Sequence, residues 1–178
     1  MNNNLRTIYT TLTLIENGNK ILLGQKKRGF AKGTYNGFGG KQEIGETIFD
    51  AMIRETQEEI DVTPLDARLV ANIDFFNIMY KGENANINMS VYLCSKFDGE
   101  INETNEMIPE WFDKGNLPYD KMLPDDIHWF KKVMAGKFIK AEFTFDNDIA
   151  TIVDQKITET SEQELQNLVQ DKTRIREI

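Results

Sequence analysis

Three glutamates lie within five residues of the sequence, at Glu55, Glu58 and Glu59, directly after Arg54. In a helix these positions are i, i+3 and i+4, so the three carboxylates share one face. Arg54 is the only cation beside them in the sequence, and carboxylate oxygens are ligands that Mg²⁺ and Mn²⁺ prefer. The pattern therefore predicts a divalent-metal site on a helix, against the plainer interpretation of a solvated acidic face.

The spacing of apolar residues predicts how this helix is held. A helix is expected over 46–60, directly after the glycine-rich segment 28–40, whose backbone can approach the carboxylates closely. The apolar positions are predicted to form a buried face and the base of the acidic face, made respectively by Phe49, Ile53, Thr56 and Ile60 and by Ile48 and Met52. One side of the helix would then pack, and the other would present the glutamates.

The rest of the chain alternates strand-like and helix-like patterns. Strands are predicted at 7–15, 20–27, 67–80 and 86–97, with a polar turn, KGENAN, between the last two. Further segments are a helix at 122–137, a hairpin at 138–157 that turns at 146–148, and a C-terminal helix with a capping-box pattern from Ser161 to Glu164. The chain is therefore predicted to be an α/β protein in which helices pack on a mixed β-sheet.

Composition limits the partners and the compartment. The 178 residues carry a formal net charge of −8, which disfavours sequence-independent binding to polymeric nucleic acid. The N-terminal residues lack the apolar stretch of a signal peptide, and no run approaches the roughly twenty apolar residues of a membrane span. Cys94, in an apolar run, is expected to be a buried, inert thiol. A cytoplasmic protein without a membrane partner is predicted.

The glutamate cluster belongs to a longer pattern of fixed spacing. This pattern resembles the Nudix box, G-x5-E-x7-R-E-U-x-E-E-x-G-U with U aliphatic, at its first glycine and all its charged positions: Gly40, Glu46, Arg54, Glu55, Glu58 and Glu59. Thr56 stands where an aliphatic residue is usual, on the predicted buried face. Asp61 stands where the final glycine is usual, and it would have to adopt the left-handed conformation that ends a helix.

The resemblance implies a fold and a reaction. The fold would be a Nudix-type α/β/α sandwich around a mixed sheet over residues 1–158, with residues 159–178 as a helical extension. The reaction would be hydrolysis of a nucleoside diphosphate linked to another moiety. Residues implied to hold Mg²⁺, or alternatively Mn²⁺, are Gly40, Glu55, Glu58, Glu59 and Glu106.

The resemblance also implies roles in catalysis. Arg54 would orient Glu55 or its neighbours through charge-assisted hydrogen bonds. Glu59 or Glu58 would help to activate the attacking water, and the sequence does not separate metal ligand from general base. Glu46, at the start of the helix, is assigned to loop and helix structure rather than to metal.

Outside the box, the chain is similar to the oxidised-purine nucleoside triphosphatases of the same family over roughly 7–157. By that similarity Asn36, Asp125 and Asp126 would read a purine base, because an amide and two carboxyls can donate and accept hydrogen bonds. Other residues at matching pocket positions are Phe30, Phe75, Met107 and Lys26. Leu123 occupies the place of a tryptophan that stacks on the base, so the aromatic face is lost there.

Several alternatives stay open at this point. Asp125 and Asp126 also suit an ordinary acidic helix N-terminus. The favoured prediction is a metal-dependent diphosphatase that cleaves an oxidised or methylated purine nucleoside triphosphate to monophosphate and pyrophosphate and so cleans the nucleotide pool. The alternatives are a Nudix hydrolase of dinucleoside polyphosphates or nucleotide sugars, and a non-catalytic nucleotide sensor. A monomer or weak dimer is expected.

Overall fold

The computed structural model describes residues 5–29 and 31–172, and within them one large sheet organises the chain. The strands are β1 (Thr7–Asn17), β2 (Lys20–Lys26), β3 (Tyr35–Asn36), β4 (Val62–Pro64), β5 (Arg68–Tyr80), β6 (Glu83–Cys94), β7 (Phe97–Gly99), β8 (Met107–Asp113), β9 (Phe138–Phe145) and β10 (Ile152–Thr160). The helices are α1 (Ile48–Ile60), α2 (Asp126–Met134) and α3 (Glu162–Lys172).

The large sheet mixes parallel and antiparallel pairs. Its order is β10-β9-β5-β6-β1-β2-β3, with β8 also paired to β2, while β4 and β7 form a separate small sheet. The β1–β6 and β5–β9 pairs are parallel, and the hairpins β1–β2, β5–β6 and β9–β10 are antiparallel. The predicted hairpins are confirmed, whereas the short strands β3, β4 and β7 and strand β8 were not predicted.

Helices cover both faces of this sheet. Successive side chains of β1 point to opposite sides, so the strand contributes to the core on each face. On one side Leu12 and Leu14 join the large cluster that contains Trp129 and Phe130 of α2. On the other side Ile15 packs beneath α1. The predicted α/β/α sandwich around a mixed sheet is thus confirmed.

Helix α1 begins at Ile48, two residues after the predicted start, and it ends at Ile60 as predicted. Thr47 caps it through a reciprocal capping box with Asp50, in which each side chain accepts from the other residue's backbone N–H. Asp61 ends it in the left-handed conformation, with φ 63° and ψ 23°. Thr56 is fully buried, and its hydroxyl bonds to the Met52 carbonyl and the Thr13 hydroxyl. The hydroxyl in place of an aliphatic side chain is therefore satisfied inside the core.

Two details of the predicted helix faces are wrong. Phe49 is 46% exposed, although its ring packs edge-on against Tyr92. Glu59, predicted on the exposed acidic face, is only 4% exposed. The buried side of α1 instead includes Ile48, Ala51 and Met52. The acidic face therefore runs into the core at its C-terminal end.

The C-terminal helix α3 packs on the same side as α1. Leu165 and Val169 are buried with Ile48, Leu69 and Tyr92. The Ser161 hydroxyl accepts the Glu164 backbone N–H at 3.2 Å, as the capping pattern predicted. The division into 1–158 and 159–178 stays a prediction, and residues 173–178 lie outside the described chain.

Two further predictions concern α2 and the thiol. Helix α2 begins at Asp126, four residues after the predicted start at residue 122, and Asp125 is its N-cap. Cys94 is buried, as predicted, and its thiol donates to the Lys96 carbonyl at 2.9 Å. Burial raises the pKa of the Cys94 thiol, which keeps it in the unreactive protonated form. No helix in the two described stretches is long and apolar enough to cross a membrane.

Candidate active site

Glu59 lies where the glycine-rich loop crosses the C-terminal half of α1. Its Oε2 accepts a hydrogen bond from the Gly39 backbone N–H at 2.8 Å. A Cβ at Gly39 would meet the backbone of Thr11, so only glycine lets the loop pass this closely. Burial raises the pKa of the Glu59 carboxyl to about 8, despite the nearby charge of Lys26, which lowers it. A carboxyl of this kind suits proton transfer near neutral pH.

Arg54 organises the other carboxylates of the Nudix-like pattern. Its Nε and Nη2 donate to both oxygens of Glu46 at 3.1 and 2.7 Å, a bidentate ion pair. Its Nη1 donates to Glu55 at 2.8 Å and lies 3.4 Å from Glu58. Nη2 also bonds to the Lys41 carbonyl at 3.0 Å. Arg54 thus ties the loop before the helix to the helix itself, and Glu46 is part of that tie.

Gly40 and Glu55 form the closest contact between loop and helix. A Cβ at Gly40 would lie 2.5 Å from the Glu55 carboxyl carbon, so the absent side chain leaves room for that carboxylate. The Gly40 carbonyl accepts the Thr11 backbone N–H at 2.8 Å. Burial raises the pKa of Glu55, against the opposing effect of Arg54. The glycine therefore serves to seat a partly desolvated carboxylate.

Glu106 reaches the same region from the loop before β8. It pairs with Arg28 at the rim, and its charge contributes to the raised pKa values of both Glu55 and Glu59. The structure therefore brings Glu106 near the carboxylates of α1, and its role as a metal ligand stays a prediction.

The carboxylates of Glu55 and Glu59 are of the chemical type that binds a hard divalent cation. Two desolvated carboxylates of raised pKa lie beside a glycine-lined space, and a cation would stabilise their charged forms. Within residues 5–29 and 31–172, however, no three His, Cys, Asp or Glu side chains already surround one point closely enough to hold an ion. Arg54 instead engages Glu55 and Glu58. The donor types match a metal site, and Arg54 competes for two of the carboxylates.

A cavity of about 220 Å³ opens beside this loop and contains most of the predicted base-binding residues. Lys26, Asn36, Phe75, Leu123, Asp125 and Asp126 all line it, together with Gly39 and Gly40. The Asn36 side-chain oxygen accepts the Gly37 backbone N–H at 2.8 Å. The predicted base-reading groups and the glycine loop thus share one cavity.

Asp125 and Asp126 are both buried, at 4% and 2% exposure. The Trp129 indole N–H donates to Asp125 Oδ2 at 3.1 Å, and the Leu123 backbone N–H donates to Asp126 Oδ2 at 3.0 Å. Burial raises the pKa of Asp125 to about 6, and burial together with the Asp125 charge holds the pKa of Asp126 well above its usual value. Asp125 makes no side-chain capping bond to the helix. A simple acidic helix start does not account for this burial.

Two predicted pocket residues are not placed in the cavity wall. Met107 is buried among Phe38, Ile15 and Leu22, where its thioether approaches Gly24, because β8 directs it toward the α1 side of the sheet. The structure therefore does not support a pocket contact for Met107. Phe30 lies outside the described residues.

The cavity also contains residues that the sequence analysis did not find. Thr11 lines it, is 2% exposed, and its hydroxyl makes no hydrogen bond within the described residues. A buried hydroxyl without a partner is uncommon and points to a ligand that supplies one. Tyr80, Phe145 and Ile149 also line the cavity from the ends of two hairpins. Only the folded sheet brings these distant segments together, so no local pattern could have identified them.

Thr11→Val is expected to weaken binding of the predicted purine nucleotide about tenfold without lowering stability. The variant removes an unpartnered buried hydroxyl while keeping the shape of the side chain, so its free energy of unfolding should be equal or higher. The matched control is Thr13→Val, since the Thr13 hydroxyl bonds to Thr56 at 2.9 Å and its loss should cost about 1 kcal/mol. Urea unfolding and KM measurements on both variants test this, and an unchanged KM for Thr11→Val would contradict it.

The sequence of this chain is similar to a family model and to proteins of known name. A family model described as NUDIX domain matches residues 6–135. An oxidized purine nucleoside triphosphate hydrolase of Danio rerio is 38% identical over 153 residues, which cover 85% of this chain and 95% of the relative. The protein of the same name in Mus musculus is 34% identical over 149 residues, 84% of this chain and 93% of the relative.

The fold has solved counterparts as well. The crystal structure of a MutT protein from Bacillus halodurans superposes with a TM-score of 0.73, covering 84% of this chain and 97% of that one. Its sequence identity is 23%, so this likeness bears on the fold alone.

Proposed function

The chain belongs to the Nudix family, and from that membership we propose that it hydrolyses an oxidised or methylated purine nucleoside triphosphate. Water would break the bridge between the α- and β-phosphates, giving the nucleoside monophosphate and pyrophosphate. The observation that carries the proposal is the buried Asp125–Asp126 pair in a cavity shared with Gly39 and Gly40. Two relatives with the same substrate class in their names, each at least 34% identical, support it.

The base would be read by groups that donate and accept hydrogen bonds. Burial and the Asp125 charge raise the pKa of Asp126, which favours its neutral acid form, and that form can donate one hydrogen bond and accept others. Asp125, whose pKa is about 6, changes its proton occupancy near neutral pH. Asn36 adds an amide at the same cavity. Such a set can match the altered donor pattern of a modified purine, which an apolar cavity could not distinguish.

The catalytic end would lie on α1. As a Nudix hydrolase the chain uses a divalent metal ion, and we assign Mg²⁺, with Mn²⁺ as a substitute, to Glu55, Glu58, Glu59, Glu106 and the backbone at Gly40. The bound ion supplies charge neutralisation on the phosphates and a lower pKa for water. Arg54 holds Glu55 in place, and Glu59 or Glu58 accepts the proton of the attacking water. Lys26 lines the same cavity as Asn36, Asp125 and Asp126.

The cellular consequence would be removal of damaged nucleotides before a polymerase incorporates them. We place this activity in the cytoplasm, in a monomer or weak dimer that binds no polymeric nucleic acid. The catalytic unit would comprise residues 1–158, with 159–178 as a helical extension that packs on it.

A substrate panel with Mg²⁺ tests the proposal. We expect one of 8-oxo-dGTP, 2-hydroxy-dATP and O6-methyl-dGTP to be cleaved with kcat/KM at least about tenfold above that of dGTP, because hydrogen-bond mismatches are strongly discriminated. Chromatography should recover monophosphate and pyrophosphate in equal amounts. Similar rates on every triphosphate, or cleavage of diadenosine polyphosphates alone, would contradict the assignment of Asn36, Asp125 and Asp126.

A further inference from the structure

The loop 100–106, between β7 and β8, is attached to the C-terminal end of α1. The last carbonyl groups of a helix have no N–H partner within the helix and must find a donor elsewhere. The Ile60 carbonyl accepts the Asn102 backbone N–H at 3.2 Å. The Glu59 carbonyl accepts the Thr104 hydroxyl at 2.8 Å, although these two residues are 45 positions apart in the sequence. The loop therefore caps the helix at the residue whose carboxylate lies beside the glycine loop.

The Thr104 hydroxyl uses all of its hydrogen-bonding capacity. A hydroxyl has one hydrogen to donate and two lone pairs that accept. The hydrogen goes to the Glu59 carbonyl, and the oxygen accepts the backbone N–H groups of Glu106 at 3.1 Å and of Met107 at 3.3 Å. The Thr104 backbone N–H donates in turn to the Met107 carbonyl at 3.1 Å. One oxygen atom thus joins the backbone of Glu59 to the backbone of Glu106.

Lys27, directly after β2, holds the opposite side of this turn. Its backbone N–H donates to the Glu106 carbonyl at 2.8 Å. Its ammonium donates to the Thr104 carbonyl at 2.8 Å and pairs with Glu103 at 2.7 Å. Both backbone polar groups of Glu106 are consequently hydrogen-bonded, while its side chain is 40% exposed and pairs with Arg28 at the rim. The turn fixes the backbone of Glu106 and leaves its carboxylate at the site.

The arrangement matters because Glu106 comes from a different element than the other carboxylates. Glu55 and Glu59 share one helix, and the charge of Glu106 contributes to the raised pKa values of both. The separation between Glu106 and these two groups depends on how the turn is attached to α1. A divalent ion binds its oxygen ligands at about 2.0–2.6 Å, so a shift of the turn by about 1 Å would remove one of them.

We propose that Thr104 is a positioning residue for metal binding, whose hydroxyl holds Glu106 in place beside Glu59 so that both carboxylates reach the same divalent cation. This inference rests on the proposed function, in which Glu59 and Glu106 hold that cation. Thr104 itself touches neither metal nor substrate, and its effect passes through Glu106. Groups that orient metal ligands in this way commonly change metal affinity by about 10- to 100-fold when they are removed.

The test compares Thr104→Val with Thr104→Ser. Valine keeps the shape of the side chain without the hydroxyl, whereas serine keeps the hydroxyl. Binding of Mn²⁺ to the nucleotide-free protein, followed by the electron paramagnetic resonance of free Mn²⁺, should weaken about tenfold in Thr104→Val and stay within about twofold in Thr104→Ser. Thr63→Val is the matched control, because the Thr63 hydroxyl accepts the Gln57 side-chain N–H at 2.6 Å at the same end of α1. Its partner is not part of the Glu106 turn, so Mn²⁺ affinity should not change.

A double-mutant cycle with Glu106→Gln separates the positioning of Glu106 from stability. With Glu106→Gln present, Thr104→Val should change Mn²⁺ affinity by less than about twofold, because the ligand it positions is already lost. Its lowering of the thermal midpoint should be the same with and without Glu106→Gln. An unchanged Mn²⁺ affinity in Thr104→Val, or a tenfold weakening that persists beside Glu106→Gln, would overturn the role of Thr104.

The substrate panel decides the proposed function separately from this cycle. A protein in which Thr104 and Glu106 are coupled in Mn²⁺ binding, but which shows no preference for modified purines, would support the role of Thr104 and contradict the substrate assignment. A protein that prefers modified purines while Thr104→Val and Glu106→Gln act additively on Mn²⁺ binding would contradict the role of Thr104 alone.

Discussion

Glu59→Gln is expected to lose turnover by at least about a thousandfold while the protein remains folded. The carboxylate that can accept a proton becomes an amide that cannot, and general acid–base groups commonly contribute factors of this size. The amide oxygen can still accept the Gly39 N–H that Glu59 Oε2 now accepts. Because glutamine carries no charge to desolvate in this buried position, the thermal midpoint without metal should be equal or higher. Product release with Mg²⁺ and a thermal melt measure both effects.

The control for this variant is Glu142→Gln, which makes the same chemical change on an exposed strand position. It should keep wild-type turnover. More than about a tenth of wild-type activity in Glu59→Gln would exclude Glu59 as an essential base or ligand. A wild-type protein with no turnover on any substrate would instead favour the non-catalytic sensor. Glu58→Gln, measured beside it, tests the alternative assignment of the base, because Glu58 is the more exposed carboxylate.

Helix α1 was predictable because its determinants are local. The spacing of Gly40, Glu46 and the three later glutamates, the cap at Thr47 and the stop at Asp61 all act within about twenty residues of chain. The hairpins β5–β6 and β9–β10 also followed from local strand and turn patterns. In both cases neighbouring residues decide the outcome, so the sequence displays it directly.

The environment of each carboxylate was not predictable in the same way. Helical periodicity placed Glu59 on the exposed face, but the glycine loop covers it, and that loop is positioned by backbone bonds from Thr11 and Thr13 of β1. The sequence likewise gave no indication of the bulge at Asn77, which decides whether Met79 or Tyr80 faces the cavity. A shift of one residue moves every later side chain of a strand to the opposite face of the sheet. Such a shift becomes visible only in the pairing with the neighbouring strand.

Asp125 and Asp126 also show the difference between what the local sequence predicts and what only the folded chain reveals. Their types and their place before a helix suggested either a capped N-terminus or a base reader. The structure shows burial beside Trp129 and Leu123, with both pKa values raised. Burial of two adjacent carboxyls costs stability, since they cannot both ionise freely. A pair retained at that cost is better explained by ligand recognition than by capping, which an exposed aspartate would achieve.

Asp126→Asn is expected to lower kcat/KM for the preferred modified purine at least about a hundredfold while leaving the fold intact. Asparagine can still accept the Leu123 N–H, but its amide presents two fixed donor hydrogens where the acid presents one movable proton. Where an amide N–H of the asparagine faces an N–H of the base, two donors meet and neither has an acceptor. Enzymes discriminate strongly against substrates that leave buried polar groups unpaired in this way. Asp125→Asn should have an effect of the same kind. Steady-state kinetics on the panel measure it, and an unchanged order of substrate preference in both variants would contradict the assignment.

The same pair should make stability depend on pH with a defined sign. In the unfolded chain both carboxyls have the ordinary aspartate pKa of 3.8, whereas the folded pKa of Asp125 is about 6 and that of Asp126 is raised well above 3.8. The folded state therefore holds protons that the unfolded state releases. The stability from this proton binding is fully present below the unfolded pKa and is lost as pH rises through the folded values.

Urea unfolding of wild type and of the double variant Asp125→Asn/Asp126→Asn, at about pH 5 and about pH 8, isolates this contribution. Both proteins retain Glu55 and Glu59, so the effects of those buried carboxyls largely cancel in the comparison. Wild type should lose more free energy of unfolding over this range than the double variant, by about 1.4 kcal/mol for each unit of pKa difference that falls within it. Equal losses in the two proteins would mean that the aspartates are ionised in the folded state, and a base reader that depends on a retained proton would then be excluded.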